Sequence, residues 1–165
     1  MTSDVKQMTP EEIHQRIIEL GFNGDGQRFA DFCRTLHEHL PPATSVVLRG
    51  SVITNERWAD GQPFDADGPG TSDLDVTLVG DEVMNCWAKE AFYIPGLHTK
   101  PLSDKDPDCA QELNLLRQEL QKIARRPVNF QATNNLILFA RDVLLDQPYF
   151  LLLETASAPV SETVS

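Results

Sequence analysis

Two aspartates stand two positions apart in a segment that has the alternation of a β-strand. Asp73 and Asp75 belong to Asp73–Val79 (DLDVTLV). Side chains two positions apart on a strand point to the same face of a sheet, so the two carboxylates lie side by side. Neighbouring negative charges repel each other unless a cation compensates them. The spacing therefore predicts a site for a divalent cation, Mg²⁺ or Mn²⁺, with substrate phosphates as further ligands.

A second short motif, Gly50-Ser51, follows a segment that is rich in β-branched residues. Ser45–Arg49 (SVVLR) predicts a short strand, and the glycine and serine predict a turn after it. Small residues in such a turn leave backbone N–H groups accessible to a phosphate. Together with the aspartate pair, this turn predicts a metal-assisted site for a nucleoside triphosphate. For Arg49, beside the turn, a phosphate contact and a partly buried ion pair remain equally open.

The spacer between the two motifs is rich in Gly, Pro and Asp, which predicts a loop. Two alternatives remain open for this loop: a flap over the nucleotide or a surface hairpin. Its aromatic residues, Trp58 and Phe64, are expected to anchor the loop to the core rather than to stack on a base. Its acids between the motifs are Glu56, Asp60, Asp65 and Asp67.

In their order along the chain, these motifs resemble those of the DNA polymerase β-like nucleotidyltransferase superfamily. The family pattern is a hydrophobic strand, then Gly-Ser, then a strand that carries Asp-x-Asp. The residues that match this pattern are Leu48, Gly50, Ser51, Ser72, Asp73 and Asp75. The likeness runs from Ser45 to Val79 and is greatest to the minimal, single-domain members of the family.

This resemblance implies the transfer of a nucleoside monophosphate from a nucleoside triphosphate, with ATP as the first candidate, to a hydroxyl of a small molecule or protein. Asp73 and Asp75 would be the catalytic carboxylates and would hold Mg²⁺ (or Mn²⁺). Gly50 and Ser51 would seat the phosphates, with Ser72 as a further nucleotide-binding residue. Minimal members of the family also often work with a helical protein partner or as oligomers.

One departure from the family pattern concerns the third carboxylate, which family members usually carry on a later strand. The best candidate strand, residues 127–131, has Asn129 at that position. An amide oxygen can bind a metal, but it cannot take the proton of an acceptor hydroxyl. Glu154 is the alternative if the run before it forms a neighbouring strand. A second hypothesis is therefore a catalytically impaired nucleotide-binding module, or an antitoxin-like partner protein.

Helices and further strands are predicted around these motifs. The first helix begins at a capping box, Thr9-Pro10-Glu11-Glu12, and ends at Gly21. Further predictions are a helix from Gln27 to Leu40, a helix capped by Asp106 with Pro107 in its first turn, a strand Val128–Ala132, a helix or long apolar turn from Asn134 to Leu145, and an apolar run Tyr149–Leu153. This pattern predicts an α+β fold with a short mixed sheet and helices mostly on one face. Residues 1–154 are expected to form a single domain, and residues 155–165 a flexible tail.

The composition and charge of the chain disfavour nucleic acid and membranes as binding partners. The chain of 165 residues has 14 Lys and Arg against 25 Asp and Glu, a net charge of −11 that disfavours nucleic acid. A short basic surface at Lys122, Arg125 and Arg126 is the remoter possibility for nucleic-acid modification. No apolar run is long enough to cross a membrane, and the N-terminus has no signal-peptide pattern. With three cysteines and no CxxC pair, the sequence predicts a cytoplasmic protein with reduced thiols.

Overall fold

A six-stranded mixed sheet lies at the centre of the computed structural model, which describes residues 3–153. The strands are β1 (Ser45–Arg49), β2 (Leu74–Val79), β3 (Phe92–Ile94), β4 (His98–Thr99), β5 (Val128–Thr133) and β6 (Tyr149–Leu153). Their order is β3-β4-β5-β2-β1-β6, and neighbours pair antiparallel except β2 and β5, which run parallel. The prediction of a mixed sheet is confirmed. Glu154 and the tail predicted for residues 155–165 lie outside the described residues.

Helices pack against this sheet, which confirms the α+β class. They are α1 (Ser3–Lys6), α2 (Pro10–Phe22), α3 (Gly26–His39), α4 (Ser51–Thr54), α5 (Asp81–Met84), α6 (Gln111–Ala124) and α7 (Leu136–Asp142). Between residues 3 and 153, no helix is both long and apolar enough to span a bilayer.

The ends of two long helices show where local sequence signals succeed and fail. The capping box at the start of α2 is confirmed: Glu12 N–H donates to Thr9 Oγ1 (3.1 Å), and Thr9 N–H donates to the Glu12 carboxylate (2.8 Å). The predicted start of α6 at Asp106 is wrong, because the helix begins at Gln111. The Cys109 carbonyl instead accepts a hydrogen bond from Ala88 N–H (2.8 Å), which holds the preceding segment outside the helix.

The two faces of the sheet are covered differently. On one face, Leu48, Val76 and Phe130 are fully buried in the main core, to which α2, α3 and α6 also contribute. On the other face, α7 packs Phe139 into a smaller cluster with Val47 of β1. The prediction of helices mostly on one face is therefore confirmed. The second face is only partly covered, and its uncovered end is polar.

Strand register brings three polar residues into one row at that end. Arg49, the last residue of β1, pairs with Asp75 of β2 in the antiparallel register. Asp75 pairs in turn with Asn129 of β5 in the parallel register. Paired residues on adjacent strands project to the same face. The row Arg49, Asp75 and Asn129 thus crosses three strands where β1 ends and β2 and β5 begin.

Candidate functional site

Asp73 and Asp75 are held together by Asn129. The Asn129 Nδ2 group donates hydrogen bonds to Asp73 Oδ2 (2.8 Å) and Asp75 Oδ1 (3.1 Å). Asp73 is exposed immediately before β2, whereas Asp75 is half-buried within that strand. The amide N–H groups compensate part of the repulsion between two acids on one face of the strand.

Of the two residues considered for the third position, the structure brings Asn129 to the aspartate pair. The run Tyr149–Leu153 does form a strand beside β1, as the alternative required. However, Leu153 pairs with Val46, whereas Tyr149 pairs with Arg49 at the site end of β1. Strand β6 therefore runs away from the aspartate pair as it approaches position 154.

Gly50 lies directly against the carboxylate of Asp75. Its φ of +86° falls in the left-handed region that L side chains rarely adopt. A Cβ at this position would lie 2.9 Å from Asp75 Oδ2, closer than carbon and oxygen can pack. Both constraints require glycine. The close approach also places the turn after β1 beside the carboxylate of Asp75.

Ser51 follows this glycine and begins the short helix α4. The next two residues, Val52 and Ile53, are fully buried in the main core and fix the turn to the body of the domain. Ser51 lines the cleft, and its hydroxyl has no hydrogen-bond partner within the described part of the chain. It is therefore available to donate a hydrogen bond to a ligand.

Ser72 is buried and already bonded to the loop that precedes it. Its Oγ accepts a hydrogen bond from Asp65 N–H (2.8 Å), and its own N–H donates to Asp65 Oδ1 (2.9 Å). The Arg126 guanidinium donates to both Asp65 oxygens (2.8 and 3.1 Å) and to the Ser72 carbonyl (3.0 Å). Ser72 thus borders the cleft and also positions the chain just before Asp73.

The loop between the motifs is an ordered turn rather than a hairpin, since it contains no strand between Asn55 and Asp73. Phe64 anchors it as predicted: the ring is buried and lies 4.7 Å from the Arg126 guanidinium carbon. The same prediction for Trp58 is wrong, because this side chain is 75% exposed. The neighbouring Arg57 donates hydrogen bonds to Asp60 and Asp67 within the same loop.

These elements enclose a cleft of about 480 Å³ over the aspartate pair. Its lining residues are Arg49, Gly50, Ser51, Thr54, Arg57, Trp58, Ala59, Thr71, Ser72, Asp73, Asp75, Val143, Leu144 and Gln147. The last three form a wall that the sequence did not predict. They belong to the connection between α7 and β6, which reaches the site because β6 pairs with β1. No local pattern in that segment signals this long-range pairing.

Comparisons of the chain with protein-family models, with curated proteins and with solved structures gave no match. The chemistry of the site therefore has to be argued from its own residues.

The electrostatics of the cleft depend on the two aspartates and on Arg49. Loss of hydration among the surrounding protein atoms raises the pKa of Asp73; the Asn129 hydrogen bond opposes this rise, and the charge of Asp75 adds to it. Burial lowers the pKa of the Arg49 guanidinium, and the nearby charge of Asp75 opposes that change. Asp73 and Arg49 thus each lie in an environment that disfavours the charged form, which is a common property of ligand sites.

The donor set can accept a hard divalent cation if the ligand supplies the other oxygens. Among residues 3–153, no group of three or more His, Cys, Asp or Glu side chains could hold a metal ion. Asp73 and Asp75 provide two carboxylates, and Asn129 has an amide oxygen that would face them once the amide turned over. Mg²⁺ is commonly bound by one or two carboxylates together with water and substrate phosphates. The residues present fit that mode.

The basic surface considered for nucleic acid is smaller than the sequence indicated. Arg126 is buried, its side chain only 2% exposed, and it is paired with Asp65. Lys122 is exposed and lies 3.7 Å from the Glu119 carboxylate. The predicted cluster is therefore wrong for Arg126, and the remaining cations do not form a basic stripe.

Proposed function

We propose that this protein is a Mg²⁺-dependent (or Mn²⁺-dependent) nucleotidyltransferase. It would move a nucleoside monophosphate from a nucleoside triphosphate, with ATP as the first candidate, to a hydroxyl of a small molecule or protein. One observation carries the proposal: the Gly50–Ser51 turn lies directly against Asp75, at the floor of a cleft. A phosphate-binding turn and a pair of carboxylates in contact are what a triphosphate and its cation need.

Different residues of the cleft would bind the cation and the phosphates. Asp73 and Asp75 would hold the divalent ion, and the free Ser51 hydroxyl would donate a hydrogen bond to a phosphate oxygen. Gly50 leaves the space that a phosphate needs beside Asp75. When bound, Mg²⁺ would neutralise charge on the triphosphate and on the leaving pyrophosphate. Binding and positioning are then the main contributions of the protein.

Trp58 supports a nucleotide rather than a simple phosphate as the ligand. It is the most exposed aromatic side chain between residues 3 and 153 and lies at the rim of the cleft. Stacking of a base on an aromatic side chain contributes about 1–3 kcal/mol in single-stranded nucleic-acid complexes. Exposure of the large Trp58 indole to water is unfavourable, and a nucleobase stacked on it would remove this cost.

Calorimetric titration tests the nucleotide site. Mg·ATP is titrated into the wild type, into the double variant Asp73→Asn plus Asp75→Asn, and into a control, Asp81→Asn plus Asp108→Asn. Both control acids are exposed and lie outside the cleft, so the control matches the change in charge. We expect binding in the wild type and the control and none in the site variant. No binding to the folded wild type, or equal binding in both double variants, would overturn the proposal.

A second candidate function follows from the contacts of Asn129. An amide that donates to both carboxylates compensates them without a metal, and it cannot accept a proton from an acceptor hydroxyl. A catalytically impaired nucleotide-binding module, or an antitoxin-like partner protein, is consistent with this arrangement.

Transfer of label separates the two candidates. The wild type is incubated with ATP labelled at the α-phosphate, Mg²⁺ and a panel of hydroxyl compounds and proteins, with the Asp73→Asn plus Asp75→Asn variant in parallel. Label on an acceptor only in the wild type supports the enzyme. Binding of Mg·ATP without transfer or pyrophosphate release across the panel favours the impaired module.

A further inference from the structure

Arg49 is a cation held in place by neutral groups. Its Nε–H donates to Thr77 Oγ1 (3.0 Å), and its Nη2 group donates to Gln131 Oε1 (2.9 Å). The guanidinium carbon lies 5.5 Å from the centroid of the Phe139 ring. Thr77, Gln131 and Phe139 are all buried, so the orientation of the guanidinium is fixed by packed side chains.

Two more deeply buried arginines have carboxylate partners. Arg126 pairs with Asp65 at 2.8 Å, and Arg117 pairs with Asp104 at 2.9 Å. Within residues 3–153, no carboxylate lies within 4.0 Å of the Arg49 guanidinium. Asp75 is its partner in the strand register, but the Asp75 oxygens lie against Gly50 and Asn129 instead. Arg49 is therefore a preoriented cation with no direct ion pair among the described residues.

The free donors of Arg49 are accessible from the cleft. The Nη1 group has no partner among the described residues, and the side chain lines the cleft beside Val143 and Leu144. An apolar wall next to a cation strengthens its attraction for an anion, because the local dielectric constant is lower than that of water. A planar guanidinium with free N–H groups suits a carboxylate or a phosphate.

The guanidinium of this cation points toward α7, whereas Ser51 belongs to α4. Its partners, Thr77 and Gln131, follow Asp75 and Asn129 along the same face of the sheet, toward α7. Ser51 begins α4, which packs into the main core on the opposite face. An anion bonded to Arg49 would lie toward α7, and a phosphate bonded to Ser51 would lie toward α4.

We propose that Arg49 binds the anionic group, a carboxylate or a phosphate, of a small acceptor molecule. The description of this molecule as an acceptor rests on the proposed nucleotidyl transfer, whereas the anion site itself does not. An acidic acceptor would place its charge on Arg49 and its hydroxyl toward the aspartate pair. The apolar wall would cover its carbon skeleton.

Titrations followed by NMR, without metal or nucleotide, test the anion site. Sodium phosphate and sodium succinate are titrated at constant ionic strength into ¹⁵N-labelled protein, and the Arg49 Nε–H signal is identified by its loss in Arg49→Lys. We expect a saturable shift of this signal and of the Leu144 amide. In Arg49→Met, the Leu144 response should weaken at least about tenfold, since one charge-assisted pair is lost. Arg49→Lys keeps the charge and should retain part of the affinity.

A control and a second ligand separate the possible sources of the anion. Arg125→Met removes an exposed arginine outside the cleft, with the same change in charge, and should leave phosphate and succinate binding unchanged. Mg·ATP affinity should be similar in the wild type and Arg49→Met.

No saturable shift in the folded wild type, or equal binding in Arg49→Met, would overturn the proposal. A tenfold loss of Mg·ATP affinity in Arg49→Met would also overturn it, because Arg49 would then bind the nucleotide. Phosphate binding through Arg49 without any Mg·ATP binding would retain the anion site and reject nucleotidyl transfer.

Discussion

The carboxylate of Asp75 occupies the space that a side chain at position 50 would need. The contact joins the end of β1 to the middle of the aspartate motif, since a Cβ on Gly50 would lie 2.9 Å from Asp75 Oδ2. The two sequence motifs are thus one structural unit, although 24 residues separate Gly50 from Asp75 in the sequence, most of them in an irregular loop. We therefore expect a substitution of Gly50 to displace the Asp75 carboxylate first.

Gly50→Ala should lower the free energy of unfolding and displace Asp75. The φ of +86° alone imposes backbone strain of about 1–3 kcal/mol on an alanine. The contact with Asp75 adds to this cost. Gly61→Ala is the matched control, because Gly61 also has a positive φ (+73°) but nothing within 4 Å of its Cβ position. Urea denaturation measures both variants, and equal losses of stability would show that the Asp75 contact has no energetic weight.

Local signals predicted the parts of the fold that depend on neighbouring residues in the chain. The capping box at Thr9 and the alternation of Asp73–Val79 each specify an element almost by themselves. The signals failed where a distant partner decides the outcome. Arg126 looked like a helix-end cation, but Asp65, which lies 61 positions earlier, draws it into the interior.

The same reasoning applies to the candidate site. Its floor could be predicted from residue types and spacing, and the register of β2 and β5 places Asn129 beside Asp75. Its walls could not be predicted. Trp58 is exposed although its side chain is large and apolar, and Gln147 reaches the cleft because β6 pairs with β1. The position of Gln147 depends on a contact between segments that carry no mutual signal in the sequence.

Asn129→Asp should increase the affinity for Mn²⁺ or Mg²⁺ by about tenfold or more, because a third carboxylate joins the pair. The metal-free variant should lose stability on the order of 1 kcal/mol or more, since two hydrogen bonds are replaced by repulsion between acids. Calorimetry with Mn²⁺ and thermal denaturation with and without metal measure both effects. Asn85→Asp, an exposed change of the same charge, is the control. Metal affinity that rises equally in both variants would contradict the role given to Asn129.

Asp73→Asn should stabilise the metal-free protein at neutral pH. The pKa of Asp73 in the folded state is raised above its ordinary value of 3.8, so folding is opposed by this group while it is charged. That opposition is complete above the raised pKa and disappears as the pH falls through it toward 3.8. The variant should melt about 1–2 °C above the wild type at pH 7, and the difference should shrink in acid. Asp108→Asn, far from the pair in sequence and outside the cleft, should show no such trend. Thermal melts from pH 7 to pH 3.5 give the comparison.

Arg126→Met tests whether the buried ion pair with Asp65 positions the start of β2. Removing one partner of a buried pair typically costs about 3–5 kcal/mol, because the other charge is left without compensation.

Burial alone would raise the pKa of Asp65, but hydrogen bonds from Arg126 and from the backbone of Ser72 and Gly70 lower it below 3.8. This lowering contributes stability above pH 3.8 that is lost as the pH falls through the lowered pKa. In the variant, fewer hydrogen bonds oppose the effect of burial, so the pKa of Asp65 should be higher than in the wild type. Acid unfolding should therefore begin at a higher pH. Urea denaturation across pH 3–7 measures both effects, with Arg57→Met as a control whose exposed pairs should contribute little. An unchanged acid limb in Arg126→Met would show that Asp65 is compensated without Arg126.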